Sequence, residues 1–418
     1  MLQNKAFGTF IAAMLLFPSA AVGQSSRKSL DTQKGSKAKV VKLICVKSGD
    51  LYGYIDLKGV FVINPQFQPA HPFDRTSGLA IVRFGGKFGF IDRNGKYVIN
   101  PQFESVQEFD AGGYAPAKLG GKWGYIDRTG KWLINPQFDW AWGFDLSVGL
   151  ASVTIAKKTG YINRNGKFVI NPQFDDNYDT KFNPQNGLVA ATLGDKWGFI
   201  DRSGKWVINP QFDSVYFGSM LALEKKVPED GDMMMVQSGG KWGYINKSGK
   251  YTIAPKFEKA EAFLKGSLLT PAYDSDSGWG YIDRKGDFVI SPQFRYCYPF
   301  DESLGLAVVL RGEKSEFINK KGLTILESPA SDITIVLDFE GVHIFDKING
   351  LAPAKLGDKW GFIDRTGKFA ITPQFDRAER FDTDTGLAPV QFGGRWGFVD
   401  RAGTYVINPQ FDFVNEKR

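Results

Sequence analysis

The sequence predicts an all-β chain: a tandem-repeat array of about ten stacked antiparallel β-meanders, propeller-like blades in an open superhelical stack or a closed ring. Three observations predict it. The segment Gly121–Asp139, GKWGYIDRTGKWLINPQFD, has counterparts in ten copies across residues 40–418. Each copy is rich in aromatic and β-branched residues in alternation, which is strand chemistry. Glycine supplies 48 of 418 residues, well above the usual share of roughly 7%, and recurs at fixed motif positions.

The motif glycine falls at Gly53, Gly89, Gly124, Gly160, Gly198, Gly243, Gly280, Gly361 and Gly397, with Glu316 in its place in an eighth, degenerate copy. From that glycine to the motif proline is 12 residues in nine copies and 13 in the eighth, Glu316 to Pro329. From the proline to the next motif glycine varies from 23 to 33 residues. The 12-residue piece is therefore a rigid unit, and insertions collect outside it. The two longest are Lys225–Gly240, a possible subdivision of the array, and the stretch around Ser328–Gly341.

Within one copy, Trp123–Asp127 and Lys131–Asn135 read as strands. Arg128, Thr129 and Gly130 connect them through a type I turn closed by a left-handed glycine. Asp127 caps that turn by accepting its N–H groups. This register opposes Ile126 to Trp132, Tyr125 to Leu133 and Gly124 to Ile134, with Gly124 leaving space for an aromatic ring. Both faces are then apolar and need covering by neighbouring repeats. Asn135-Pro136 is expected to end the second strand. A further strand precedes the Trp strand (Leu150-Ala-Ser-Val, Leu351-Ala-Pro-Ala), and a fourth forms if the Phe-Asp segment pairs. Gly130→Val is expected to cost above about 1 kcal/mol, and Gly322→Val, in the degenerate copy, less. Ten copies exceed the usual 4–8 blades of a propeller. The array also begins and ends on whole repeats, without a split blade. Both points favour an open or loosely wound array, with two five-blade rings divided at the Lys225 insertion as an alternative.

The pattern W-G-[YF]-I-[DN]-R-x-G-K-x-V-I-N-P-Q-F resembles the WG, or KWG, repeat of bacterial proteins. The resemblance covers nearly all of residues 40–418. It implies a β-rich repeat, common in exported proteins, with no general enzymatic activity. The chain departs from it at Thr159, which replaces Trp in copy four, and at Ser315 and Glu316 in copy eight.

Residues 1–23 read as a signal peptide. Lys5 is their only charge, and Ala6–Phe17 is a 12-residue apolar run, short of the roughly 20 that span a bilayer. Small residues then allow cleavage after residue 21 or 23. Residues 24–39, with five basic residues and one acid, read as a disordered basic linker. The expectation is an exported protein, periplasmic or extracellular, with no membrane span after signal removal.

Composition excludes several chemistries. Two histidines, His71 and His343, cannot build a histidine site in every copy. Two cysteines, Cys45 and Cys297, cannot build a four-cysteine zinc site. A bond between those two requires a ring that brings them together. No nucleophile elbow, zincin helix motif or P-loop occurs. The Asp of each D-R-x-G turn is better explained by capping than by calcium. No catalytic residue, metal or cofactor is expected, nor a nucleic-acid partner, because the net charge of +7 is small for the length. The Lys of K-W-G and the Arg of D-R-x-G are expected on one rim, balanced by Asp. The repeated Trp residues are read as blade packing. Candidate ligand contacts lie where copies differ: Trp140 and Trp142 in DWAWGFD, and Met233, Met234 and Met235 in the Lys225 insertion. The expected role is a non-catalytic scaffold binding another envelope protein. The alternative is a module binding glycan or cell wall through loop aromatics.

Overall fold

The structure, a computed structural model, describes residues 42–175, 181–216, 232–302, 305–312, 314–327, 333–335, 350–365 and 368–415. Residues 1–23, the linker 24–39, residues 225–231 of the first insertion, most of the second and His343 lie outside them.

Ten antiparallel sheets follow one another, one per copy, and no helix occurs among the described residues. Blade 3 shows the pattern: a short edge strand Ser105–Val106, then Ala115–Leu119, Lys122–Ile126 and Trp132–Phe138. The turn between the last two follows from its residues. Asp127 Oδ1 accepts the N–H of Thr129 at 2.8 Å and of Lys131 at 3.0 Å, and Gly130 has φ +86°.

The register beyond that turn differs from the expectation. Trp132 opposes Ile126, but Ile134 opposes Tyr125 and Phe138 opposes Trp123, with bulges between. Pro136 therefore does not end the strand; it sits inside a bulge, where its missing N–H is harmless. Gly124 faces that bulge, and at the equivalent Gly198 a Cβ would also lie 2.8 Å from the Trp206 ring. A Cβ on Gly124 would lie 2.5 Å from the Ile134 carbonyl oxygen and 2.7 Å from the Pro136 nitrogen. Blade 8 is the internal control. Its fourth strand, described over Thr324–Glu327, pairs Glu316 directly with Glu327. With Glu327 paired directly opposite, a side chain fits, and Glu316 is buried against Arg311 Nε at 3.1 Å and the Thr324 hydroxyl at 3.0 Å. The fourth strand also leaves one face open: Val62, Val98, Leu133, Val169, Val207, Val289 and Val406 are exposed. The expectation of two covered faces holds for the inner strands only.

Blades stack through three recurring contacts. A Cβ on turn residue Gly130 would lie 2.8 Å from Ile99 of the preceding blade, so that glycine serves the interface as well as the turn. Gly322 has the same setting, with φ +76° and 2.9 Å to Ile290, which removes the reason to expect it to be more tolerant. The closing Phe of one blade meets an aromatic ring of the next edge-on, as with Phe103 and Trp132 at 5.6 Å. The motif tyrosine donates to a carbonyl 17 residues on, as Tyr125 does to Trp142 at 2.7 Å.

The ring is closed, contrary to the open array favoured above. The C-terminal segment Phe413–Asn415 is the edge strand of blade 1, pairing Lys47 with Phe413, Val46 with Val414 and Cys45 with Asn415. Blade 1 is thus split between the two ends of the chain. Two of the three junction contacts recur there: a Cβ on Gly59 would lie 2.8 Å from Ile407, and Phe61 meets Phe411 edge-on at 5.9 Å, while Phe398 stands where the third would need a tyrosine. Blades 5 and 6 are joined likewise, with Gly249 against Ile208, so the ring is one of ten blades and not two of five.

Candidate functional site

The two rims of the ring differ in chemistry. The Lys of K-W-G and the Arg of D-R-x-G begin and follow the same strand, so they occupy opposite rims and not one. On the rim of the Gly-Gly hairpins, Lys122 pairs with Asp139, Lys196 with Asp213 at 2.5 Å, and Lys359 with Asp376 at 2.6 Å. Each carboxylate also accepts a backbone N–H from the following blade: Ala156 at 2.8 Å, Gly239 at 2.7 Å and Gly393 at 2.7 Å. The lysine hydrogen bond, then the backbone N–H, holds these carboxyls below the usual range. Arg395, Asp412 and Gly49 make the same clamp across the closure. The charges of this rim are thus largely spent on each other.

The opposite rim carries the D-R-x-G turns and the Phe-Asp loops that join edge and second strands. Arg164 holds Asp110 at 3.0 Å and lies over the rings of Tyr114 and Phe144, 4.6 and 5.3 Å from their centroids. Arg284 donates to the Ser267 carbonyl at 3.0 Å and covers Phe263. Arg93 covers Phe73 at 4.9 Å, and burial lowers its pKa.

The residues singled out by sequence are not brought together. Trp140 is half-buried in the edge strand Trp140–Ala141, with Trp123 at 5.0 Å and Trp142 at 5.5 Å. It belongs to the junction of blades 3 and 4. Trp142 is half-buried beside it, and its carbonyl takes the Tyr125 hydroxyl. Met234 and Met235 begin a strand of blade 6, Met234–Ser238, and Met233 precedes it. All three are buried, Met233 and Met235 against Tyr244 and Phe257, Met234 against Phe199 and Phe212. They are core and not an insertion loop. Counting back from Gly243 would have shown this, since MMVQSGGKWG aligns with APVQFGGRWG of blade 10. Cys45 and Cys297 are both free and buried. Burial pushes the Cys45 thiol up to about 12, against the hydrogen bond from Tyr54, so it stays protonated at neutral pH and is a poor nucleophile.

Sequence reasoning missed one feature, a cavity of about 110 Å³ at the closure seam. It lies between the Phe-Asp loop of blade 2 (Phe73, Arg75) and that of blade 10 (Asp382, Asp384, Thr385), with Lys42, Arg93 and Asn415 also lining it. Arg75 pairs with Asp384 at 2.6 Å, and both are half-exposed. Asp382 is occupied by the N–H groups of Asp384 at 3.0 Å and Thr385 at 2.7 Å. Among the described residues no group of His, Cys, Asp and Glu is arranged to hold a metal. Two loops and two segments far apart in the chain, Lys42–Cys45 and Asn415, build the cavity, so no local pattern announces it.

The WG containing repeat matches at residues 52–88, 88–123, 123–158, 160–197, 197–217, 242–269, 279–314, 360–396 and 396–416, more than half of the chain. The chain belongs to the WG-repeat family. The matches pass over residues 315–359, where Ser315 and Glu316 break the motif. Among curated proteins none matches the WG-repeat chain. Among solved structures it is similar to a eukaryotic initiation factor at 10% identity and TM-score 0.51, over 90% of this chain and 98% of the other. That likeness speaks to the fold alone. Weaker likenesses are to the dihydro-heme d1 dehydrogenase NirN (12% identity, TM-score 0.36, 90% and 75% covered) and to Hsv2 of Kluyveromyces lactis (11%, 0.31, 60% and 92%). A repeat propeller of this kind has the architecture of a binding or protein-interaction module.

Proposed function

We propose that this WG-repeat ring is an exported, non-catalytic module of the cell envelope that holds a protein partner on its Gly-Gly rim. One observation carries the choice of rim. Phe84, Phe392 and Leu193 stand at hairpin tips with 54%, 53% and 51% of their surface in water. Large apolar side chains held out among self-paired charges are what a protein interface uses. Export rests on Lys5, the Ala6–Phe17 run and the small residues after it. The absence of any catalytic motif supports a binding role. The glycan alternative is less favoured because a sugar needs an open ring face, and Trp140 has Trp123 and Trp142 against it.

The test is a triple variant, Phe84→Ser, Leu193→Ser and Phe392→Ser, with its fold checked by circular dichroism. Immobilised wild-type chain is expected to capture an envelope protein that the variant loses at least tenfold. Equal capture by the variant, or retention on peptidoglycan or polysaccharide in place of protein, would refute the reading. Intact mass of the exported chain is expected to lack the first 21 or 23 residues.

A further inference from the structure

One place recurs on the rim of the Phe-Asp loops: the third residue of the edge runs Ser105-Val106-Gln107, Lys259-Ala260-Glu261 and Phe413-Val414-Asn415. Its backbone is held alike in blades 3 and 7. The N–H of Gln107 goes to the Pro116 carbonyl and that of Glu261 to the Pro271 carbonyl, each at 3.0 Å. In blades 3 and 1 the side chain at this place ties its blade to the next. Gln107 donates to the Ala141 carbonyl at 3.0 Å, and Asn415 donates to the Ala70 carbonyl at 2.8 Å. Each acceptor belongs to the second edge residue of the following blade, opposite Val153 and Val82 respectively.

In blade 7 the place is held by Glu261, and the second edge residue of blade 8 is Cys297, opposite Val309. An ionised carboxyl has no hydrogen to give, so this junction has an acceptor on both sides. Cys297 is fully buried, which leaves no room for a donor from outside. Tyr216, at the same place in blade 6, donates to Glu261 Oε2 at 3.0 Å. The other ionisable groups facing the carboxyl are the phenols of Tyr244 in blade 6 and Tyr296 in blade 8, with the Cys297 thiol beside them. Phenols and thiols are neutral from acid to neutral pH. Lys259 and Arg284 of its own blade lie over the rings of Tyr273 and Phe263, at 5.2 and 5.5 Å. Among the described residues no positive charge pairs with Glu261, and burial pushes its carboxyl up against the hydrogen bond from Tyr216.

We propose that Glu261 is a proton-operated latch between blades 7 and 8. Its protonated carboxyl donates to the Cys297 carbonyl, as the amides of Gln107 and Asn415 do at their junctions, and its ionised form releases that tie. The Tyr216 hydroxyl stays on the other oxygen in both forms. The folded carboxyl titrates above its ordinary value of 4.5. The tie is therefore complete below that value and is lost as pH rises through the folded one. The lysine–aspartate clamps of the other rim run the opposite way, since their carboxyls are held low and stay ionised at neutral pH. The latch does not depend on what the ring binds.

Two variants of the whole mature chain test it. Glu261→Gln supplies an amide N–H at every pH, and Gln107→Glu installs a carboxyl at the Ala141 junction. At neutral pH, Glu261→Gln should raise the denaturant midpoint and slow amide exchange at residues 296–298 at least threefold against wild type at the same pH. Toward pH 4.5 the two chains should converge. Gln107→Glu should do the reverse in blade 3, with a lower midpoint and faster exchange at residues 140–142 at neutral pH, and recovery in acid. The variants alter different blades, so failure of one to fold leaves the other as the test. The proposal is overturned if Glu261→Gln is no more stable than wild type at neutral pH. It is equally overturned if their difference does not shrink in acid, or if Gln107→Glu leaves its junction unmoved.

Discussion

Gly124→Ala should destabilise the ring by about 3 kcal/mol, the upper end for forcing atoms into a packed site. The added Cβ meets backbone on the facing strand, the Ile134 carbonyl and the Pro136 nitrogen, and backbone cannot rotate out of the way. The control is Gly120→Ala, on the hairpin tip of the same blade. Its φ of +61° is also left-handed, but nothing lies within 4 Å of the new Cβ. Only the conformational cost remains there, about 1 kcal/mol. Denaturant unfolding of the two variants beside wild type reads the difference. Equal small effects would mean that the proline bulge does not press on the motif glycine.

Ending the chain at Asp412 should produce the second large effect. Loss of Phe413–Asn415 strips the edge from blade 1 and leaves Ile44–Ser48 as an open strand. Cys45 and Val46, now buried, come to the surface, and Asn415 no longer donates to the Ala70 carbonyl. An uncovered edge also invites pairing between copies. Amide exchange of residues 44–48 should rise by at least a hundredfold, with a lower melting temperature and some association. Unchanged exchange at those residues would mean that the terminal strand does not hold the ring.

The units of this fold are legible because they are local. Asp127, Gly130 and the aromatic alternation fix a turn and two strands within a dozen residues. The bulge escaped because Gly124 and Pro136 were weighed separately, one as space for a ring and one as a strand breaker. They are the two sides of a single distortion, and the eighth copy says so by losing the glycine and the 12-residue spacing together. Closure escaped for a similar reason. Asp412-Phe413-Val414 repeats Glu104-Ser105-Val106, the start of a further blade, but completing it requires strands almost a whole chain length away. The methionines were misplaced because an insertion was assumed to run up to Gly240, whereas its last residues already form a strand. Of the candidate sites, Trp140 and Trp142 were correctly seen as unusual, and their neighbour Trp123 shows what they pack against. The seam cavity belongs to tertiary structure alone.

The account stands on the closed ten-blade ring, and a paired-cysteine variant tests that most directly. Lys47 and Phe413 oppose each other on adjacent strands, within reach of a disulfide, and neither is buried. In dilute Lys47→Cys/Phe413→Cys protein under mild oxidation, the account predicts a 47–413 bond within each monomer. It would be seen as a faster-migrating, reducible species and confirmed by peptide mass. Free thiols at both positions, or bonds only between molecules, would contradict the closed ring.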